Sequence, residues 1–148
     1  ILDYILNGRK RICCYNDCIG KHIGVRYDGS IYGCNRDLPS VFSYGNVIDY
    51  DNIRDCFKSK GCNNYLLQAV NRRKFCMETC DIYDFCHGGC NSVALQNGSI
   101  ENVSEPVCEA LKMVYKHIKK KVESSIKKDF ECNKINPMIL DIIGGTFK

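Results

Sequence analysis

Four cysteines fall within fifteen residues, at Cys76, Cys80, Cys86 and Cys90, and three more within six, at Cys13, Cys14 and Cys18. Disulfide partners need only meet in pairs across a fold, whereas thiols that share a metal centre must converge on it and so recur at short intervals. This spacing reads as metal or cluster ligation. The competing reading is a secreted disulfide protein, since 12 cysteines in 148 residues approach the density of such scaffolds, and Asn97-Gly-Ser99 and Asn102-Val-Ser104 are formal glycosylation sequons. The amino end argues against it. Ile1-Leu-Asp-Tyr-Ile-Leu-Asn-Gly-Arg-Lys10 has an acid inside its apolar stretch and its basic residues after it, the reverse of a signal peptide. The expectation is a reduced, cytoplasmic protein.

With 45% apolar and 26% charged residues, the chain has the makings of one folded domain rather than a disordered segment. No apolar run approaches the roughly 20 residues of a membrane helix, so no membrane partner is expected. The net charge of +4 gathers largely between Lys112 and Lys128. Aromatics do not alternate with those lysines as a base-stacking surface requires, so no nucleic-acid partner is expected either. Lys116 to Lys121 reads as a solvated helix face before it reads as a site for an acidic peptide.

The patterning predicts a small α+β fold: an antiparallel β-hairpin, short helices, irregular cysteine-rich cluster-binding loops and a long carboxyl-terminal amphipathic helix. Residues 1–12 read as a connecting helix, closed by Asn7-Gly8, from an upstream domain; the lack of an initiator Met points the same way. His22 to Tyr27 and Ser30 to Cys34 flank Asp28-Gly29, which suggests a two-residue type I′ turn with Val25 opposite Tyr32 and Cys34 facing inward beside Ile23 and Val25. Asp51 or Asn52 should cap a helix with Ile53, Cys56 and Phe57 on one face. A second helix is expected from about Asn63 to Arg73, with Tyr65, Leu66, Ala69 and Val70 inward. Phe75 to Asn91 shows no clean period and reads as a loop organised by what it binds. Val107, Ala110, Leu111, Val114, Tyr115, Ile118, Val122 and Ile126 form a helical stripe. Residues 109–128 then form a closing helix and 129–148 a tail.

The spacing from Cys76 is CxxxCxxxxxCxxxC, and Cys108 follows at the start of the long helix. Thiolate sets of this kind suit zinc or iron-sulfur clusters. Close spacings running through four cysteines, with Gly88-Gly89 admitting the backbone to a bulky ligand, favour a cluster. A helix amino terminus at Cys108 favours thiolate. Cys56, Cys62 and Cys132 fall outside the pattern, and Cys56 reads as a buried small hydrophobe. His87 reads as a loop imidazole bonded to backbone, and Tyr32, Tyr44, Tyr83 and Phe85 as shielding around the cysteines.

Taken in order, Cys18, Gly29, Cys34, Cys76, Cys80, Cys86, Cys90 and Cys108, with Tyr27-Asp-Gly-Ser-Ile-Tyr-Gly-Cys34, Tyr44-Gly-Asn-Val47 and Cys86-His-Gly-Gly-Cys90, the chain resembles the SPASM domain. That domain is the auxiliary cluster module of radical S-adenosylmethionine enzymes that modify peptides and proteins. The resemblance covers residues 13–108 and implies two 4Fe-4S clusters. The first would take Cys18, Cys34, Cys90 and one of Cys13 and Cys14; the second would take Cys76, Cys80, Cys86 and Cys108. Three residues separate Cys76 from Cys80, where the family's usual spacing is CxxC. The S-adenosylmethionine-binding motif CxxxCxxC is missing, for Cys14 and Cys18 would need a partner where Lys21 stands. The resemblance therefore implies a radical S-adenosylmethionine catalytic domain, in the same or another chain, and a peptide or protein substrate. Two other readings stay open: a stand-alone electron carrier resembling a ferredoxin, and a structural zinc-binding interaction module.

Overall fold

A computed structural model of the chain describes residues 1–10, 18–36 and 38–131. Cys13, Cys14, Cys132 and the tail from 132 onward lie outside the described residues. The fold is α+β and mostly helical: α1 (Leu2–Asn7), β1 (Gly24–Val25), β2 (Ile31–Tyr32), α2 (Lys60–Thr79), α3 (Tyr83–Cys86), α4 (Asn91–Leu95) and α5 (Glu105–Glu131), with 3-10 turns at Ser40–Phe42, Val47–Asp49 and Ile53–Lys58. No described helix is long and apolar enough to cross a membrane.

The hairpin forms where expected, in a different register. Gly24 pairs with Tyr32 and Val25 with Ile31, so the loop has three residues, not two. Its turn is closed by Gly29 N–H donating to Arg26 O (2.9 Å) and Arg26 N–H donating to Ser30 O (2.9 Å). Only Gly29, at φ 82°, takes the left-handed region, as in a type I turn followed by a glycine bulge. Val25 is exposed, against expectation; Cys34 and Ile23 are half-buried and pack against the main core, as expected, and Ile31 and Tyr32 are both buried.

Asn46 secures that turn from outside. Its Nδ2 donates to Asp28 O (2.8 Å), while Val47 N–H donates to Gly29 O and Tyr44 N–H to Ile31 O. The two separate phrases Tyr27-Asp-Gly and Tyr44-Gly-Asn thus meet as one structural unit. Asn46 also caps the next turn, accepting from Ile48 N–H, while Asp49 accepts from Asn46 N–H.

The main core packs Ile31, Tyr32, Leu38, Phe42 and Tyr44 against Cys56, Cys62, Tyr65 and Ala69, with Ile100 closing it. Tyr65 meets Phe42 and Tyr44 edge-on at centroid distances of 6.1 and 6.2 Å, a favoured aromatic geometry. Cys56 and Cys62 are fully buried within this core, as expected of small hydrophobes. Asn52 caps the Ile53–Lys58 turn as expected, with its Oδ1 accepting from Arg54 N–H, but Ile53 itself is exposed.

Helix α2 departs most from expectation. It starts at Lys60, where Ser59 Oγ accepts from Cys62 N–H, and runs unbroken through Cys76 to Thr79. Residues 72–79 contain no Gly or Pro, so nothing local stops the helix; Cys80 ends it with its N–H donated to Cys76 O. The buried stripe is Tyr65, Ala69, Arg72 and Cys76, whereas Val70 is exposed.

A second, smaller core joins α1, α3 and α5. Ile82, Phe85 and Cys86 pack with Ile1, Tyr4, Leu111 and Tyr115, and Phe85 stacks on Tyr115 at 5.2 Å. Lys10 Nζ donates to Asp84 O and stands 2.9 Å from His87 Nε2. Helix α5 is longer than the expected 109–128: its 27 residues extend about 40 Å and reach into the expected tail. None of its described residues is buried, so the stripe is only partly covered. Lys116 pairs with Asp81 at 2.6 Å, an exposed bridge that contributes under about 1 kcal/mol.

The first turn of α2 lies directly on backbone, and a Cβ at Gly61 would stand 1.8 Å from Ser43 O. Gly61→Ala should therefore lower the urea midpoint by an amount equivalent to about 1–3 kcal/mol, measured by far-ultraviolet circular dichroism.

Candidate metal centre

The ends of α2, α3, α4 and α5 converge on one cavity of about 120 Å³. Each end delivers a thiol. Cys76 lies in the last turn of α2, Cys80 caps that helix, Cys86 ends α3, Cys90 precedes α4, and Cys108 lies in the opening turns of α5; all five line the cavity. The segment expected to be one irregular loop is therefore mostly helix ends, with a turn between α3 and α4. His87 at φ 51°, Gly88 at 80° and Gly89 at 74° form that turn, and three successive left-handed residues reverse the chain tightly enough to return Cys90 to the chamber. Ile82, Val93, Val103, Val107 and Leu111 supply apolar wall.

The other cysteines stand around Tyr65. Burial foremost pushes the Tyr65 hydroxyl up to about 12; the nearby Asn91 amide acts the other way, and the Cys34, Cys18 and Cys90 thiolates add to the rise. Cys90 thus belongs to both neighbourhoods. Cys34 Sγ also accepts from Arg36 N–H at 3.4 Å. Of the residues named from the sequence, seven occupy these two neighbourhoods; Cys13 and Cys14 lie outside the described residues. Cys34, Cys56, Cys62, Cys76, Cys80, Cys90 and Cys108 are free thiols. Among the described residues, no three His, Cys, Asp or Glu side chains stand close enough to hold a single metal ion.

The electrostatics differ from expectation at Cys108. Its position in the first turns of α5 favours thiolate, yet its pKa is raised, first by burial and then by the Cys80 thiolate, with Lys112 opposing. Cys76 is likewise raised by burial, and then by Cys108 and Cys80. Without a cation to share, burial and the neighbouring thiols favour the protonated forms of Cys76 and Cys108.

Residue-type patterns did not single out Arg72, which is 2% exposed. Its Nε donates to Gly88 O at 2.9 Å, and its other nitrogens donate to Ile100 O, Gly89 O and Asn91 Oδ1. The available signal was its spacing: Tyr65, Ala69, Arg72 and Cys76 continue one helical stripe, and an arginine in an apolar stripe needs a buried partner. Tyr32, Tyr44 and Phe85 are buried, and Tyr83 lines the chamber.

Over 118 residues, 78% of this chain, the sequence is 25% identical to a cysteine-type anaerobic sulfatase-maturating enzyme of Clostridium novyi (strain NT), of which the match covers 30%. The chain is related at a distance to a maturase and spans less than a third of that relative's length. No known family's sequence profile matches it, and no solved structure does.

The thiol pKa shifts set a pH dependence for the reduced, metal-free protein. Cys56, Cys62, Cys76 and Cys108 are all raised, chiefly by burial, so the folded state holds protons that the unfolded chain releases near its ordinary thiol pKa of about 8.5. Stability should be fully present below that value and fall as pH rises through it toward the folded values. Urea midpoints at successive pH values, taken with chelator and reductant, check the sign.

Proposed function

We propose that the chain is the auxiliary iron-sulfur portion of a radical S-adenosylmethionine enzyme that modifies a protein or peptide. The observation that carries this reading is the chamber walled by five thiols from four helix ends, with Cys18, Cys34 and Cys90 gathered around Tyr65. Thiols spread over the walls of an apolar chamber suit a polynuclear cluster, whose irons point outward to their ligands, better than one tetrahedral ion. The resemblance of the cysteine series to the SPASM domain and the similarity to a sulfatase-maturating enzyme support the same reading. Residues 13–108 are its auxiliary domain, residues 1–12 its connection to the catalytic part, and the cytoplasm its compartment.

In this reading Cys76, Cys80, Cys86 and Cys108 hold one 4Fe-4S cluster. Cys18, Cys34, Cys90 and one of Cys13 and Cys14 hold the other. When bound, such clusters supply one-electron chemistry. The chain's own residues do the rest: Ile82, Val93, Val103 and Leu111 keep the chamber apolar, and Tyr65 belongs to the main core against which Cys34 packs. S-adenosylmethionine binds in a catalytic domain, not here, because the chain lacks CxxxCxxC. The substrate is a protein or peptide side chain, as the relative's name, a sulfatase-maturating enzyme, favours.

Protein purified and reconstituted without oxygen should contain about eight iron and eight sulfide per chain and show broad brown absorption. Cys108→Ser and Cys34→Ser should each remove about half of the iron, and the double variant nearly all. Zinc as the only tightly held metal, in a colourless protein, would overturn the cluster assignment in favour of a structural module.

A further inference from the structure

Arg72 places a buried cation where the structure gives it no carboxylate. Its described hydrogen-bond partners are three backbone carbonyls, at Gly88, Gly89 and Ile100, and the neutral Asn91 amide, and no described Asp or Glu forms an ion pair with it. A buried guanidinium remains charged, and burying it without a counter-charge is costly. Negative charge would reach it once the neighbouring thiols ligate a cluster as thiolates. Arg72 itself lines the chamber, and the thiols that act on it most strongly are Cys76 and Cys90. One lies in each ligand set assigned above.

The geometry points to Arg72 as a positioning residue that sets the reduction potentials of both clusters, acting as their shared buried counter-ion. The inference rests on the proposed function. A four-iron cluster held by four thiolates is net negative and becomes more so when it accepts an electron from a reductant. A fixed positive charge beside it therefore favours the reduced form and raises its potential. Because the guanidinium fork is held on the carbonyls of Gly88 and Gly89 and on Asn91, the residues flanking Cys90, it does not move when the charge of either cluster changes. It acts through the thiol positions and the field, without touching substrate.

The test compares anaerobically reconstituted wild type, Arg72→Gln and Arg72→Lys by iron content and by dithionite titration followed by electron paramagnetic resonance. Arg72→Gln should shift reduction of both clusters at least tenfold toward the oxidised form, about 59 mV for a one-electron couple. Arg72→Lys, which keeps the charge, should remain within threefold of wild type. A purely structural role would lower iron content without this split in potential. If Arg72→Gln fails to hold iron while Arg72→Lys holds it at wild-type potentials, the counter-ion role stands. Loss of iron in both variants, equal shifts in both, or unmoved potentials in Arg72→Gln overturns it. Wild type without iron overturns the proposed function as well, whereas loaded wild type beside variants with unmoved potentials overturns this inference alone.

Discussion

The guanidinium of Arg72, buried between a helix and the turn that returns Cys90, is the interaction on which the cysteine region depends. The turn at 87–89 runs through left-handed backbone and cannot satisfy its carbonyls with regular secondary structure. Buried carbonyls need donors, and Arg72 provides them to Gly88, Gly89 and Ile100 from one rigid planar group. The turn is held against α2, and Cys90, which follows it, lines the same chamber as Cys76. A lysine offers a point charge without the fork, so it meets the electrostatic requirement and not the whole geometric one.

Around that contact the molecule is built as two unequal cores with the thiol chamber near their junction. The larger core has the aromatic set Phe42, Tyr44 and Tyr65. The smaller gathers Ile82, Phe85 and Cys86 under α1 and α5. Five buried or half-buried thiols drawn toward one space repel when ionised and lose solvation when buried, and both effects hold Cys76 and Cys108 in their neutral forms. A cationic metal centre reverses that balance, because it stabilises thiolate directly. Under the proposed function, metal binding and folding would be linked through the same residues. Val107, Cys108, Leu111 and Lys112 of α5 form one side of the chamber.

Much of the candidate site was legible in the order and spacing of cysteines, because ligands that converge on one centre leave a local signature. The long final helix was legible because its period of apolar residues survives any docking geometry, and the Leu2–Asn7 helix because Asn7-Gly8 stops it. The hairpin was legible as a turn but not in register: Asp28-Gly29 fits both a two-residue and a three-residue loop, and Asn46, distant in sequence, grips the turn that forms. The reach of α2 was hidden by its cysteines, which suggested a loop although no residue from 72 to 79 breaks a helix. Val70 and Ile53 were read as inward because pattern alone does not say where a neighbouring element ends.

The sequence by itself determined the chemistry available: a series of thiols at ligand spacing, glycines where the chain must turn back, the absence of CxxxCxxC, and an α+β pattern ending in a long helix. These follow from residue identity and local period, which need no knowledge of what lies across the fold. Tertiary structure decided which thiols share a space, that Cys90 faces both neighbourhoods, that Cys108 is held neutral in spite of its helix position, and that Arg72 is buried at the centre. Each depends on burial and on charges brought together from distant positions, and desolvation and Coulomb forces act on distance in space rather than along the chain.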